Sequence, residues 1–256
     1  MSTLSNPFAH HDPKVQASEN LIDSAALGRV GPLREALANG GDPNFMRLDI
    51  SPALAAVSNE HEECLRILVD AGGGGDLPNR MGWTALHEAA IKDDVQFLEI
   101  LLGSEFEQNL APRDRDGLTP LHAAIEHGRI ESASQLLAAA PELLDIADRN
   151  SVSPVMAAAR KRNVFLVQLL LEAGADLAVS DLEGKTIVDY VEGWDEGEQL
   201  LEGRNVSVAP APRRTTVAVP SEEPAPEPQA AEEATDKQEK PANPFGLGGM
   251  KKIRKP

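Results

Sequence analysis

TPLHAAIEHG, residues 119–128, opens with a hydroxyl residue, a proline, an apolar residue and a histidine. It then runs into small and apolar residues and ends on glycine. The opening returns as Ser51-Pro52-Ala53-Leu54, Thr84-Ala85-Leu86-His87, Ser153-Pro154-Val155-Met156 and Thr186-Ile187-Val188-Asp189. In chain order the five first residues stand 33, 35, 34 and 33 apart. The first four lead to the pairs Ala56-Val57, Ala89-Ala90, Ala124-Ile125 and Ala158-Ala159, then to the runs CLRILV, FLEILL, ASQLLA and LVQLLL. A fixed period of this length is the signature of stacked supersecondary units.

The residue types suit a pair of short helices. A Ser or Thr at the start can cap the first helix by accepting a backbone N–H, and a following Pro sits where a missing N–H costs nothing. The alanine pairs allow close helix approach, and the leucine-rich run supplies the apolar stripe of the second helix. Gly41, Gly72 and Gly174 fall just past that helix, where a left-handed stop favours glycine. Asp and Asn then make the turn to the next unit. One such unit cannot bury its apolar side alone, so neighbours must stack. An earlier unit fits the frame through Ser24-Ala25, Gly28, Leu33, Leu37 and Gly41-Asp42-Pro43-Asn44, without the Thr-Pro-Leu-His opening.

TPLHAAIEHG, together with GWTALHEAA at 82–90 and LLLEAGADL at 169–177, resembles ankyrin repeats. The resemblance implies an all-α ankyrin-repeat solenoid of helix-turn-helix units with short β-turn fingers, and a non-catalytic role in binding proteins. The expected organisation is an N-terminal arm at 1–18 and a repeat domain at 19–203, about five repeats and a degenerate cap. A Pro/Glu-rich linker at 204–242 and an apolar, basic tail motif at 243–256 follow. Departures are Asp49 and Ser151 where glycine is usual, Ala53-Leu54 for Leu-His, and Met156 for His. Extra residues within Glu105–Pro112 and Ala138–Ile146 predict longer loops and looser helix ends. In the cap, Trp194, Leu200 and Leu201 are expected to turn inward.

The net charge is −17, and residues 1–203 carry −19 of balance against +2 in 204–256. So acidic a body repels phosphate backbones and anionic lipid, which argues against nucleic-acid and membrane partners. The single cysteine, Cys64, excludes an intramolecular disulfide and fits a reducing compartment, cytoplasmic or nuclear. The start, MSTLSNPFAHHDP, shows no apolar signal-peptide core. Monomeric behaviour apart from the partner is expected.

Residues 207–244 hold eight Pro and no Leu, Ile or Phe, so they cannot bury enough surface to offset their ordering entropy and are expected to be disordered. The end gathers Asn243, Pro244, Phe245, Leu247, Met250, Lys251 and Lys252, with Ile253, Arg254 and Lys255, in the manner of a short docking motif. Asn-Pro-Phe also occurs at 6–8, and such tripeptides resemble ligands of endocytic EH domains. The basic end also resembles a weak nuclear-localisation signal. A third reading has the positive tip fold back on the acidic body through a salt-sensitive contact.

No catalytic constellation, cofactor site or metal site emerges. His87 and His122 belong to the repeat opening, where the resemblance implies local hydrogen bonding that ties adjacent turns. Gly72–Gly75 lacks the Lys-Ser/Thr of a phosphate loop, and Cys64 lies in an apolar stripe. Partner-binding candidates come from register. Arg47, Arg80, Arg115 and Arg149 stand four residues before successive openings, and Ile50, Trp83, Leu118 and Val152 one residue before. An apolar ridge beside arginines matches interface composition. Its expected centre is Arg80, Met81, Trp83 and Arg115, extended by the first-helix positions Ile91, Lys92, Glu126, His127, Arg160 and Lys161. The functional expectation is an adaptor or inhibitor. The alternatives are an assembly component of a larger complex or an adaptor acting through Asn-Pro-Phe.

Overall fold

A computed structural model describes residues 12–92, 94–103 and 109–204. They form six consecutive helix pairs. These are α1 (Pro13–Ala26) with α2 (Val30–Ala38), α3 (Pro52–Ser58) with α4 (Glu62–Asp70), and α5 (Ala85–Ile91) with α6 (Gln96–Leu102). Then come α7 (Pro120–Glu126) with α8 (Ile130–Ala139), α9 (Pro154–Arg160) with α10 (Val164–Glu172), and α11 (Ile187–Val191) with α12 (Asp195–Leu201). First helices pack on first helices and second on second, giving two helical layers. Among the described residues there is no β-strand, and the only extended pairing is the isolated bridge Arg47–Ile50.

The helix starts follow the sequence chemistry. Ser51 accepts from the Leu54 N–H at 3.1 Å, and Thr84, Thr119 and Thr186 form capping boxes with His87, His122 and Asp189. Ser153 departs from the expectation: it makes no cap bond, and its buried Oγ has no partner. The alanine pairs are buried to the last atom, and Leu65, Leu68, Leu98, Leu101, Leu136 and Leu170 fill the second layer with no exposure at all. Each such leucine contributes roughly 1.5–3 kcal/mol over an exposed one. Truncating Leu98 to Ala would cost about 2–5 kcal/mol.

Three further expectations are corrected. Helix α1 begins at Pro13, capped by Asp12, and buries Ala17 and Ser18, so part of the expected 1–18 arm belongs to the first repeat. The left-handed stop after α2 is Gly40 (φ +81°), while Gly41 serves close packing: a Cβ there would meet the Ala36 carbonyl at 2.9 Å and Ala17 at 3.0 Å. The extra residue within Ala138–Ile146 does not loosen the chain but forms a 3-10 turn, Pro141–Asp145, that buries Leu143 and Leu144. Of the other insertion, 104–108 lies outside the described residues.

The last pair closes the stack. Trp194 and Leu201 are buried and Leu200 half-buried, as expected. The indole covers Gly197, where an added Cβ would sit 2.1 Å from Trp194 Cε3. No described helix is long and apolar enough to cross a membrane.

Candidate functional site

Between second and first helices the chain makes a row of tight turns, here called fingers, each folded by one side chain. Asn79 Oδ1 accepts from the N–H of Met81 at 2.8 Å and of Trp83 at 2.9 Å. Asp114 repeats this with Asp116 and Leu118 (2.9 and 2.8 Å), Asp148 with Asn150 and Val152 (2.8 and 2.9 Å), and Asp181 with Glu183 and Lys185 (2.8 and 2.9 Å). These four turns were missed in the sequence, although the signal was present as an Asx five residues before each opening. Ser151 accordingly takes the left-handed backbone (φ 60°) of the glycine it replaces.

Backbone bonds join finger to finger. Arg115 N donates to the Met81 carbonyl at 2.8 Å, Arg149 N to Asp116 O at 2.9 Å, and Leu182 N to Asn150 O at 2.9 Å. His87 adds a side-chain tie, with Nε2 3.1 Å from Leu118 O. Burial pushes the His87 and His122 imidazoles below their ordinary value, against opposing pulls from the Leu118 and Val152 carbonyls. His122 Nε2 is buried without a hydrogen-bond partner.

The register candidates divide. Arg80, Arg115 and Arg149 are exposed on the fingers and Arg47 is half-buried. Arg47 is paired with Asp23 and Arg80 with Asp49 at 3.1 Å. Met81 and Ile50 are exposed, and Leu118 and Trp83 are half-buried. Val152 is 4% exposed and Leu118 presents only part of its side chain, so the expected ridge of four apolar residues is not continuous. The cause is their place at the finger base, under the next turn. Trp83 stacks on His87 with ring centroids 4.9 Å apart and donates Nε1–H to Glu88 at 3.1 Å.

The charged first-helix candidates Lys92, Glu126, Arg160 and Lys161 are held in ion pairs within the chain. Lys92 pairs with Glu60 at 3.2 Å and Glu88 at 3.8 Å. Glu126 holds Arg160 and Lys161, the latter at 2.6 Å. Burial pushes the Glu126 carboxyl up, but these two cations outweigh it and hold it below the usual range. Ile91, Lys92 and His127 line a cleft with Glu60, Phe97 and Arg129. The tail candidates Asn243, Pro244, Phe245, Leu247, Met250, Lys251 and Lys252, and the expected disorder of 204–242, lie outside the described residues.

Cys64 is buried, which pushes its thiol up, and neighbouring Glu63 adds to the shift. Among the described residues no group of three His, Cys, Asp or Glu is placed to hold a metal.

The model of the family described as ankyrin repeats (3 copies) matches residues 21–111 and 106–181, more than half of the chain. Inversin of Canis lupus familiaris is 30% identical over 164 residues, covering 64% of this chain and 15% of that protein. The nuclear factor NF-kappa-B p105 subunit of Mus musculus is 29% identical over 154 residues, covering 58% and 16%. The matched segment thus spans a small part of each of these longer relatives. The crystal structure of the ankyrin repeat domain of Bcl-3, described as a member of the IkappaB protein family, superposes with a TM-score of 0.63 at 26% identity, covering 71% of this chain and 81% of that one.

Proposed function

The chain belongs to the ankyrin-repeat family, whose repeats are protein–protein interaction modules, and we propose that it is a non-catalytic adaptor or inhibitor that holds a partner protein along its fingers. The observation that carries this reading is the finger edge itself. Its backbone is rigidified by finger-to-finger bonds, while its arginines and apolar tips project outward. Surfaces that join arginine to exposed apolar side chains have the composition of interfaces. The first-helix side chains of Lys92, Glu126, Arg160 and Lys161 are spent on internal ion pairs and contribute less. The partner is one or more proteins met in the cytoplasm or nucleus, and the chain is otherwise monomeric.

A pull-down from the native source tests this. Arg115→Glu with Arg149→Glu should lose the partner, whereas Phe165→Ala, exposed on α10 away from the fingers, should keep it. Retention by the double variant would refute the finger reading. A second reading, a component of a larger assembly or an Asn-Pro-Phe adaptor docking through 243–256, rests on the sequence alone. Partners lost only on removing 204–256 would favour it.

A further inference from the structure

We infer that the finger edge accepts an extended peptide segment of a partner protein in which two carboxylates, about three residues apart, stand between apolar residues. This rests on the finger reading above and specifies the partner's chemistry.

Eight large apolar side chains are exposed among the described residues, and four of them lie on the fingers: Leu48 (84%), Ile50 (42%), Met81 (55%) and Leu182 (72%). Leu182 stands four residues before Thr186, in the register of the arginines, and ends their column. The column is not uniform in charge. Arg47 and Arg80 are neutralised within the chain by Asp23 and Asp49. Arg115 and Arg149 are exposed and make no side-chain pair among the described residues. The acids nearest them in the fingers are occupied: Asp114 and Asp148 fold the turns, and Glu183 is paired with Lys185 at 2.7 Å. Exposed Asp116 pairs with neither arginine.

The edge therefore reads apolar at Leu48, Ile50 and Met81, cationic at Arg115 and Arg149, and apolar again at Leu182. Two planar guanidinium forks call for carboxylates, which they bind in bidentate fashion. The chain as a whole is acidic, so an acidic segment is repelled by much of its surface, whereas this register sets two unpaired guanidinium groups on adjacent fingers. Recognition runs through side chains, because the finger N–H groups of Arg115, Arg149 and Leu182 already donate to the preceding finger. Packed neighbouring helices stand about 8–10 Å apart and an extended chain rises about 3.3 Å per residue. One finger then spans roughly three residues of such a peptide. Met81, Arg115, Arg149 and Leu182, on consecutive fingers, set the order apolar, acidic, acidic, apolar at every third position.

The test uses the full chain and a fluorescein-labelled decapeptide. The peptide has leucine at its first and last positions, glutamate at the fourth and seventh, and serine elsewhere. Fluorescence anisotropy should show saturable binding that weakens at least about tenfold with Arg115→Ala plus Arg149→Ala. Exchanging both glutamates for lysine should weaken it similarly, and Leu182→Ala should also weaken it. Phe165→Ala should leave binding unchanged. Circular dichroism checks that each variant folds, which these exposed positions should permit. Absence of binding at about millimolar peptide, equal binding of the lysine peptide, or indifference to the arginine variant would overturn the inference. The wider reading fails separately, if a co-purified partner crosslinks to the chain but never to its fingers.

Discussion

His87 Nε2 lies 3.1 Å from the carbonyl oxygen of Leu118, one repeat further along the chain. Its Nδ1 faces Thr84, 2.9 Å from Oγ1 and 3.3 Å from the backbone nitrogen. Accepting at Nδ1 leaves the proton on Nε2, so the neutral ring donates across the repeat boundary. One side chain thereby caps a helix, fixes a finger and couples two units. His87→Ala should destabilise the chain by about 1–3 kcal/mol, the cost of stranding buried hydrogen-bonding groups. A urea titration reads this as a lowered midpoint.

The same burial makes stability depend on pH. Both His87 and His122 are held below the ordinary 6.5 in the fold. The unfolded chain therefore binds protons that the folded chain refuses. Their contribution is fully present above 6.5 and is lost as pH falls through that value toward the depressed folded one. Thermal melts should show a falling midpoint between pH 7 and about pH 5. The slope should flatten in the variant His87→Gln with His122→Gln.

Trp83 should behave as a structural residue before a binding one. Its stack on His87 and its bond to Glu88 place it within the framework of its finger. Trp83→Ala should lower stability by about 1–2 kcal/mol from lost stacking and burial, or roughly 2–4 °C in melting temperature per kcal/mol. Arg115→Ala, on an exposed tip, should leave the melt unchanged. Calorimetry on both variants separates the two roles.

The last repeat contains the only tyrosine of the chain, and its hydroxyl donates to Asp181 at 2.7 Å. Burial and the Asp181 charge push the phenol up to about 12. Burial also pushes the Asp181 carboxyl up, but the tyrosine and the finger N–H groups outweigh it and hold it low. A spectrophotometric titration sees this one phenol directly. Its midpoint should stand near 12 and fall toward 10 in Asp181→Asn.

The solenoid was legible because its information is periodic. Spacing, cap residue, small pair and leucine run agreed in four successive units, and the helices follow them. What the sequence concealed depends on solvent exposure and pairing across repeats. Val152 and Ile50 share a register, yet one is buried and the other exposed. Arg80 and Arg115 share another, yet only Arg80 has Asp49 within reach. Asp49 is the residue that departs from the usual glycine, so a deviation in one finger sets the charge of the next.

The central claim is that this solenoid binds a protein along its finger edge. Crosslinking mass spectrometry of the native complex, with a carboxylate- and arginine-reactive reagent set, tests it most directly. Crosslinks should concentrate on the fingers from residue 47 to residue 183, Arg115 and Arg149 foremost. Crosslinks confined to the second-helix face around Phe165, or to residues 204–256, would contradict it.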